Sequence, residues 1–247
     1  MKAFLGGVSA AVVAVAVVGA PSVASAATYV SNLEYRDGSN SAYVPPFGTV
    51  TIEDGLDGGD RVRVTVAFTN SLTEFVETGN DNHYPFAFNL FDAVDSDVNI
   101  VTGVGPDWDY LGVSLYKVSG FTNGSAASKF TNAIVCCGGT GGANGVLGSM
   151  SFDVTNNDGI TFAGIGATFD VNGRLLTTGS GNRFKSTSLG WWFAADIWDA
   201  DTGQTYNVAA RDAFRVGVVP EPGTWALMIL GFGGAGAMLR RRRTALA

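Results

Sequence analysis

The chain has little of what most enzymes work with. Its 247 residues include one histidine, His83, and two cysteines, Cys136 and Cys137, which are adjacent. One imidazole and one vicinal thiol pair do not supply the spaced nitrogen and sulfur ligands of a zinc site. His83 has Asp81 nearby, but no Gly-x-Ser-x-Gly elbow occurs in the chain, so a Ser-His-Asp hydrolase is not expected. Adjacent cysteines have Cα atoms about 3.8 Å apart across a trans peptide, closer than the ~4.4–6.8 Å of an unstrained bridge. They cannot staple distant parts of the fold. A vicinal disulfide between Cys136 and Cys137, a bond to another chain and a buried thiol pair all remain open. Redox enzymes usually space their two cysteines, so redox chemistry is not expected.

Helical periodicity is also scarce. Between the two ends of the chain no segment keeps apolar residues at i, i+3, i+4 and i+7 over three turns. A short helix near residues 126–132 is the best candidate. Positive charge is scarce too. Residues 27–219 hold ten basic against 21 acidic residues, a net charge of −11. That balance argues against nucleic acid and against anionic lipid as partners, and it favours solubility.

What is present points to strands. The chain has 34 glycines and 16 phenylalanines, without collagen periodicity or the polar bias of disorder. The clearest strand covers 61–69, with Val62, Val64, Val66 and Phe68 on one face and Arg61, Arg63, Thr65 and Ala67 on the other. Residues 29–33, 49–53, 84–91, 98–104, 111–118, 149–154, 160–171, 191–198 and 214–219 also read as strands. Gly, Asn and Asp clusters separate them, as in Asn156-Asn157-Asp158-Gly159. Such a series without alternating helices predicts an all-β fold, an antiparallel β-sandwich of jelly-roll-like type.

Both ends differ from this body. Lys2 precedes an apolar run, 3–20, and then Ala24-Ser25-Ala26, a small-x-small site. Residues 1–26 therefore read as a secretory signal peptide cut between Ala26 and Ala27, with export through the Sec translocon. At the other end, Pro220, Glu221 and Pro222 are followed by an uncharged run from Gly223 to Leu239, then by Arg240, Arg241, Arg242 and Arg243. The two prolines remove backbone donors and fix φ, leaving an extended peptide around Glu221 that suits an enzyme reading it as a strand. As a helix, 225–239 would rise about 22 Å, marginal against a ~30 Å hydrocarbon core. The four arginines stop transfer and mark the cytoplasmic side.

This tail, residues 218–247, resembles the PEP-CTERM sorting signal of Gram-negative bacteria in its PEPxxWA form. Pro220, Glu221, Pro222, Trp225 and Ala226 carry the motif, with a transmembrane helix over 224–239 and the basic tail at 240–243. The resemblance implies recognition by an exosortase-type membrane protease, removal of the helix and basic tail, and delivery of residues 27–217 to the cell surface or medium. Proteins with this tail are associated with exopolysaccharide, so the resemblance implies a matrix role. It says nothing of the body's own chemistry.

Within the body, hard cations and sugars are the ligands to weigh. Asp92, Asp95, Asp97 and Asn99 imitate the start of an EF-hand loop, but Ile100 replaces the required glycine, which leaves a non-EF calcium site as a weak candidate. Two other acidic clusters, Asp54/Asp57/Asp60 and Asp196/Asp199/Asp201, read as solvated turns. Residues 107–110, Asp-Trp-Asp-Tyr, mix acid with aromatic as sugar sites do, and Trp191, Trp192 and Trp198 add to them. Trp191 and Trp192 are neighbours in an extended segment, so at most one is exposed. The expected function is a non-enzymatic, exported surface or matrix protein. The alternative is a carbohydrate-active enzyme or lectin-like domain on the same scaffold.

Overall fold

The computed structural model describes residues 27–36, 46–77, 83–91, 97–102, 108–112, 114, 116, 118, 120–121, 125–136, 145–216, 229 and 231–232. The predicted signal peptide with Ala24 and Ala26, the acidic residues Asp92 and Asp95, and Cys137 lie outside the described residues. So do Pro220, Glu221, Pro222, Trp225, Ala226 and the four arginines. Of the predicted membrane segment only Ile229, Gly231 and Phe232 are described; they are helical and exposed. Among the described residues no helix is long and apolar enough to cross a membrane.

The body is built of antiparallel strands. The first half holds β1 (Ala27–Leu33), β2 (Tyr35–Arg36), β3 (Gly48–Leu56), β4 (Arg61–Phe68), β5 (Glu74–Phe75), β6 (Phe86–Phe88), β7 (Leu90–Phe91), β8 (Asp97–Thr102) and β9 (Asp109–Leu111). The second holds β10 (Asn132–Val135), β11 (Val146–Leu147), β12 (Met150–Thr155), β13 (Thr168–Phe169), β14 (Leu175–Thr177), β15 (Arg183–Phe184), β16 (Phe193–Asp199), β17 (Gln204–Ala210) and β18 (Phe214–Val216). One sheet runs β18-β1-β3-β4-β12-β8. The other runs β11-β5-β16-β6-β10-β9, with β17 pairing β16 and β2 pairing β17. The first and last strands of the body meet, Thr28 opposite Val216 and Val30 opposite Phe214. The first and last strands of the body are thus neighbours in one sheet, with β18 at its edge.

Alternation explains the first sheet. Val62, Val64 and Val66 of β4 are fully buried, while Arg61, Arg63 and Thr65 between them are half-buried on the other face. Each buried valine contributes on the order of 2 kcal/mol. The outward arginines are held by one carboxylate: Arg63 Nε donates to Asp153 Oδ1 at 2.7 Å and Arg61 Nη1 to Asp153 Oδ2 at 3.0 Å. Asp153 lies directly opposite Arg63 in the register of β12 with β4, so the sheet itself places the pair.

The inner faces of the two sheets share one buried cluster. Val50, Ile52, Val64 and Phe152 come from the first sheet, and Phe75, Phe86, Phe88, Phe193 and Ile197 from the second. Phenylalanines dominate it: Phe88 stands 5.0 Å from Phe152 and 5.8 Å from Phe184, and Phe86 stacks on Phe193 at 5.6 Å. This sheet-on-sheet contact is sandwich-like packing.

The second sheet is covered on its other face too. In register across four strands lie Ala133, Ala87, Ala194 and Ala209, forming a flat floor with no side chain beyond Cβ. Tyr116, Val118, Phe121, Phe130 and Trp191 pack on it as a second buried cluster. Trp191 and Trp192 stand consecutively just before β16 and enter different clusters. Trp191 enters this outer cluster and Trp192 the main core, at 4% and 7% exposure.

Several sequence expectations change here. Residues 160–171 are not one strand, because Gly164 and Gly166 both take positive φ, 82° and 81°, and break the run. The helix expected near 126–132 is a single 3-10 turn, Ala126–Ser128, followed by β10. The turn expected at Asn156-Gly159 is present, with Gly159 N–H donating to Asn156 O at 3.0 Å.

Candidate functional site

The acidic clusters read as solvated turns are partly interior. Asp54, Asp196 and Asp199 are 6%, 1% and 6% exposed, whereas Asp57, Asp60 and Asp201 are exposed. Asp54 Oδ2 accepts the Phe162 N–H at 2.9 Å, and its Oδ1 has no partner. Burial pushes its pKa from 3.8 up to about 6, against the lowering effect of the Phe162 and Gly55 N–H groups and Arg215. Asp196 lies 3.7 Å from His83 Nδ1, which also meets Asn207 Oδ1 at 3.3 Å. No described serine hydroxyl bonds His83, so the arrangement is a polar bracket between β17, β16 and the segment before β6.

Of the aromatics weighed for sugar binding, Trp198 of β16 is half-buried. Trp191 and Trp192 are buried, as above. Trp108 is half-buried with its ring edge-on to Phe75 at 5.4 Å. Tyr110 donates its hydroxyl to Asn132 Oδ1 at 2.6 Å, and burial pushes its pKa up to about 12. Asp97 and Asn99 of the calcium candidate are exposed on the edge strand β8. Among the described residues no group of three acidic, histidine or cysteine side chains is placed to hold a metal. Cys136 is buried and disulfide-bonded; Cys137, the chain's other cysteine, lies outside the described residues.

The structure instead brings together a cleft of about 610 Å³ at one end of the two sheets. Arg36 of β2, Phe47 just before β3, the turn after β4 with Asn70 and Thr73, and the β16–β17 turn with Asp199 and Asp201 line it. Backbone bonds fix its walls: Phe47 N–H donates to Leu33 O and Thr69 N–H to Phe47 O, both at 2.9 Å. Its aromatic lining is Phe47, whose ring lies 6.0 Å from that of the buried Tyr206; the Arg36 guanidinium lies 4.6 Å over the Tyr206 ring.

Its acidic side is formed by Asp199 and Asp201. Asp199 Oδ1 accepts the Asp201 N–H at 3.2 Å and Oδ2 the Thr202 hydroxyl at 2.9 Å. Asp201 Oδ1 accepts the Asn70 amide at 2.9 Å. Asp199 thus holds the β16–β17 turn, and Asp201 ties that turn to the one after β4. Sequence reading took Asp199 and Asp201 as residues of a solvated turn and did not weigh Arg36, Phe47 and Asn70. Those residues are more than 100 positions from the β16–β17 turn, and only sheet pairing brings them there.

No curated protein and no solved structure matches the chain. Residues 218–243 match the PEP-CTERM protein-sorting motif. The chain thus carries at its C-terminal end the PEP-CTERM motif of an exported protein that an exosortase sorts to the cell surface.

Proposed function

We propose that this protein is a non-enzymatic component of the extracellular matrix, associated with exopolysaccharide. The carrying observation is the sorting motif at 218–243. It implies an exported body, and the body's −11 charge suits a soluble surface protein. Residues 1–26 act as the signal peptide, 27–217 as the exported domain, and 218–247 as the removable tail. The domain is a jelly-roll-like sandwich, a reading supported by the shared phenylalanine core and by a chain that passes repeatedly from sheet to sheet, as from β4 to β5 and from β11 to β12.

The cleft at the β16–β17 turn is where the domain holds its polymer. Phe47 offers the apolar face of a sugar ring a partner, and the carboxylates of Asp199 and Asp201 and the Asn70 amide offer its hydroxyls acceptors and donors. The test is incubation of the mature protein with polysaccharides, following both binding and release of reducing ends. Binding without turnover, lost in Phe47→Ala, is expected. Turnover abolished by one carboxylate substitution would make the domain an enzyme instead.

A further inference from the structure

We infer that a second groove, separate from the cleft at the β16–β17 turn, binds a carboxylated sugar unit of an acidic polysaccharide, with Arg211 as its anion-reading residue. The groove, about 450 Å³, lies between β14 and the turn at 186–190, and residues 211–212 close it at the opposite end of the β16–β17 hairpin.

Its charges do not cancel. Arg174 and Asp212 pair with each other, Nε to Oδ1 at 2.8 Å and Nη2 to Oδ1 at 2.6 Å. Arg211 has no carboxylate partner among the described residues, although the body around it is strongly acidic. An exposed guanidinium would ordinarily wander in solvent, but this one is placed. It lies over the Trp191 ring at 5.3 Å, beside Gly190. Gly190 takes φ of 86°, and a Cβ there would come within 3.6 Å of Arg211 Nε. The turn beneath is fixed by Thr187 N–H to Trp191 O at 2.8 Å and Gly190 N–H to Thr187 O at 2.9 Å.

The surroundings of that cation select the class of anion. Thr178 and Ser186 line the groove, and the exposed Leu176 supplies apolar surface. A lone phosphate or sulfate would use the guanidinium and leave the rest unfilled. A hexuronate ring has a carboxylate for the planar guanidinium fork, hydroxyls for Thr178 and Ser186, and an apolar face. Repulsion from the rest of the body confines a polyanion to this groove.

This rests on the matrix reading for the source of the ligand, so the experiment has arms that separate the two. Mature protein and its Arg211→Gln and Arg211→Lys variants are titrated with polygalacturonate, with free galacturonate, and with a neutral glucan. The inference expects polygalacturonate binding that weakens about tenfold or more in Arg211→Gln, is partly kept in Arg211→Lys, and is competed by free galacturonate. Neutral-glucan binding, at the other cleft, stays unchanged in both variants. Polyuronate binding that is absent, or equal in wild type and Arg211→Gln, overturns the groove assignment while glucan binding persists. No binding of any of the three overturns the matrix reading as well. Arg211 is exposed, so unchanged urea midpoints confirm that the variants report on the groove and not on folding.

Discussion

Replacing Asp54 by Asn should stabilise the body at neutral pH and not at pH 4. Asp54 sits at the end of β3, 6% exposed, with one oxygen on the Phe162 N–H and the other without a partner. Burial raises its pKa from 3.8 to about 6, so between those values the folded chain binds a proton that the unfolded chain releases. Stability therefore falls as pH rises through that window, by up to about 3 kcal/mol for a two-unit shift. Asparagine keeps an acceptor for Phe162 and carries no charge, but it leaves an amide donor where the unpaired oxygen was. That cost reduces the expected gain to about 1–3 kcal/mol above pH 7. At pH 4 the folded aspartate is protonated and the unfolded one only about half ionised, so little of the penalty remains and the two proteins should agree within about 1 kcal/mol. Urea unfolding of both proteins at pH 4 and pH 7.5 measures the difference directly. A variant less stable than wild type at pH 7.5, or a difference independent of pH, would refute the reasoning.

Further outcomes follow from other contacts. Asp153→Asn removes the shared partner of Arg61 and Arg63. Burial alone would raise its pKa, but the two guanidiniums hold it below the ordinary value. The substitution should cost about 1–3 kcal/mol at pH 7 in urea unfolding, and the cost should vanish as pH falls below the carboxylate range. Phe193→Ala empties the centre of the main core and should cost about 3–5 kcal/mol, seen as a lower urea midpoint. Ala194→Leu pushes a larger side chain up through the alanine floor under Trp191 and should cost about 1–3 kcal/mol by overpacking. Neutral replacements of Arg240 to Arg243 should remove the barrier that fixes the orientation of the tail, visible as altered protease access from the two sides of the membrane.

The strands most legible in the sequence were those exposed on one face. β4 alternates Val with Arg or Thr because its outer side meets water and Asp153, so period two survives in the letters. β17 went unread because Tyr206, Asn207, Val208, Ala209 and Ala210 are all buried; a strand covered on both sides loses its polar alternate, and alanine carries little hydrophobic signal. β10, with Ala133 in the same floor, was lost for the same reason. Asp54 and Asp199 read as turn residues because local sequence does not show that Phe162 and the cleft walls will close over them. The membrane-sorting tail was legible without any fold, since its motif, apolar run and arginines are contiguous. The cleft and the groove were not, because each depends on residues brought together by sheet pairing.

The most direct test of the account is the mass of the mature protein recovered from its own cell, with both termini sequenced. The account predicts Ala27 as the first residue, a C-terminal end near Pro220–Pro222, and recovery at the cell surface or in the medium. Glu221→Ala should instead yield a heavier species that keeps its tail. A soluble cytoplasmic protein with Met1 and Ala247 both in place would contradict it.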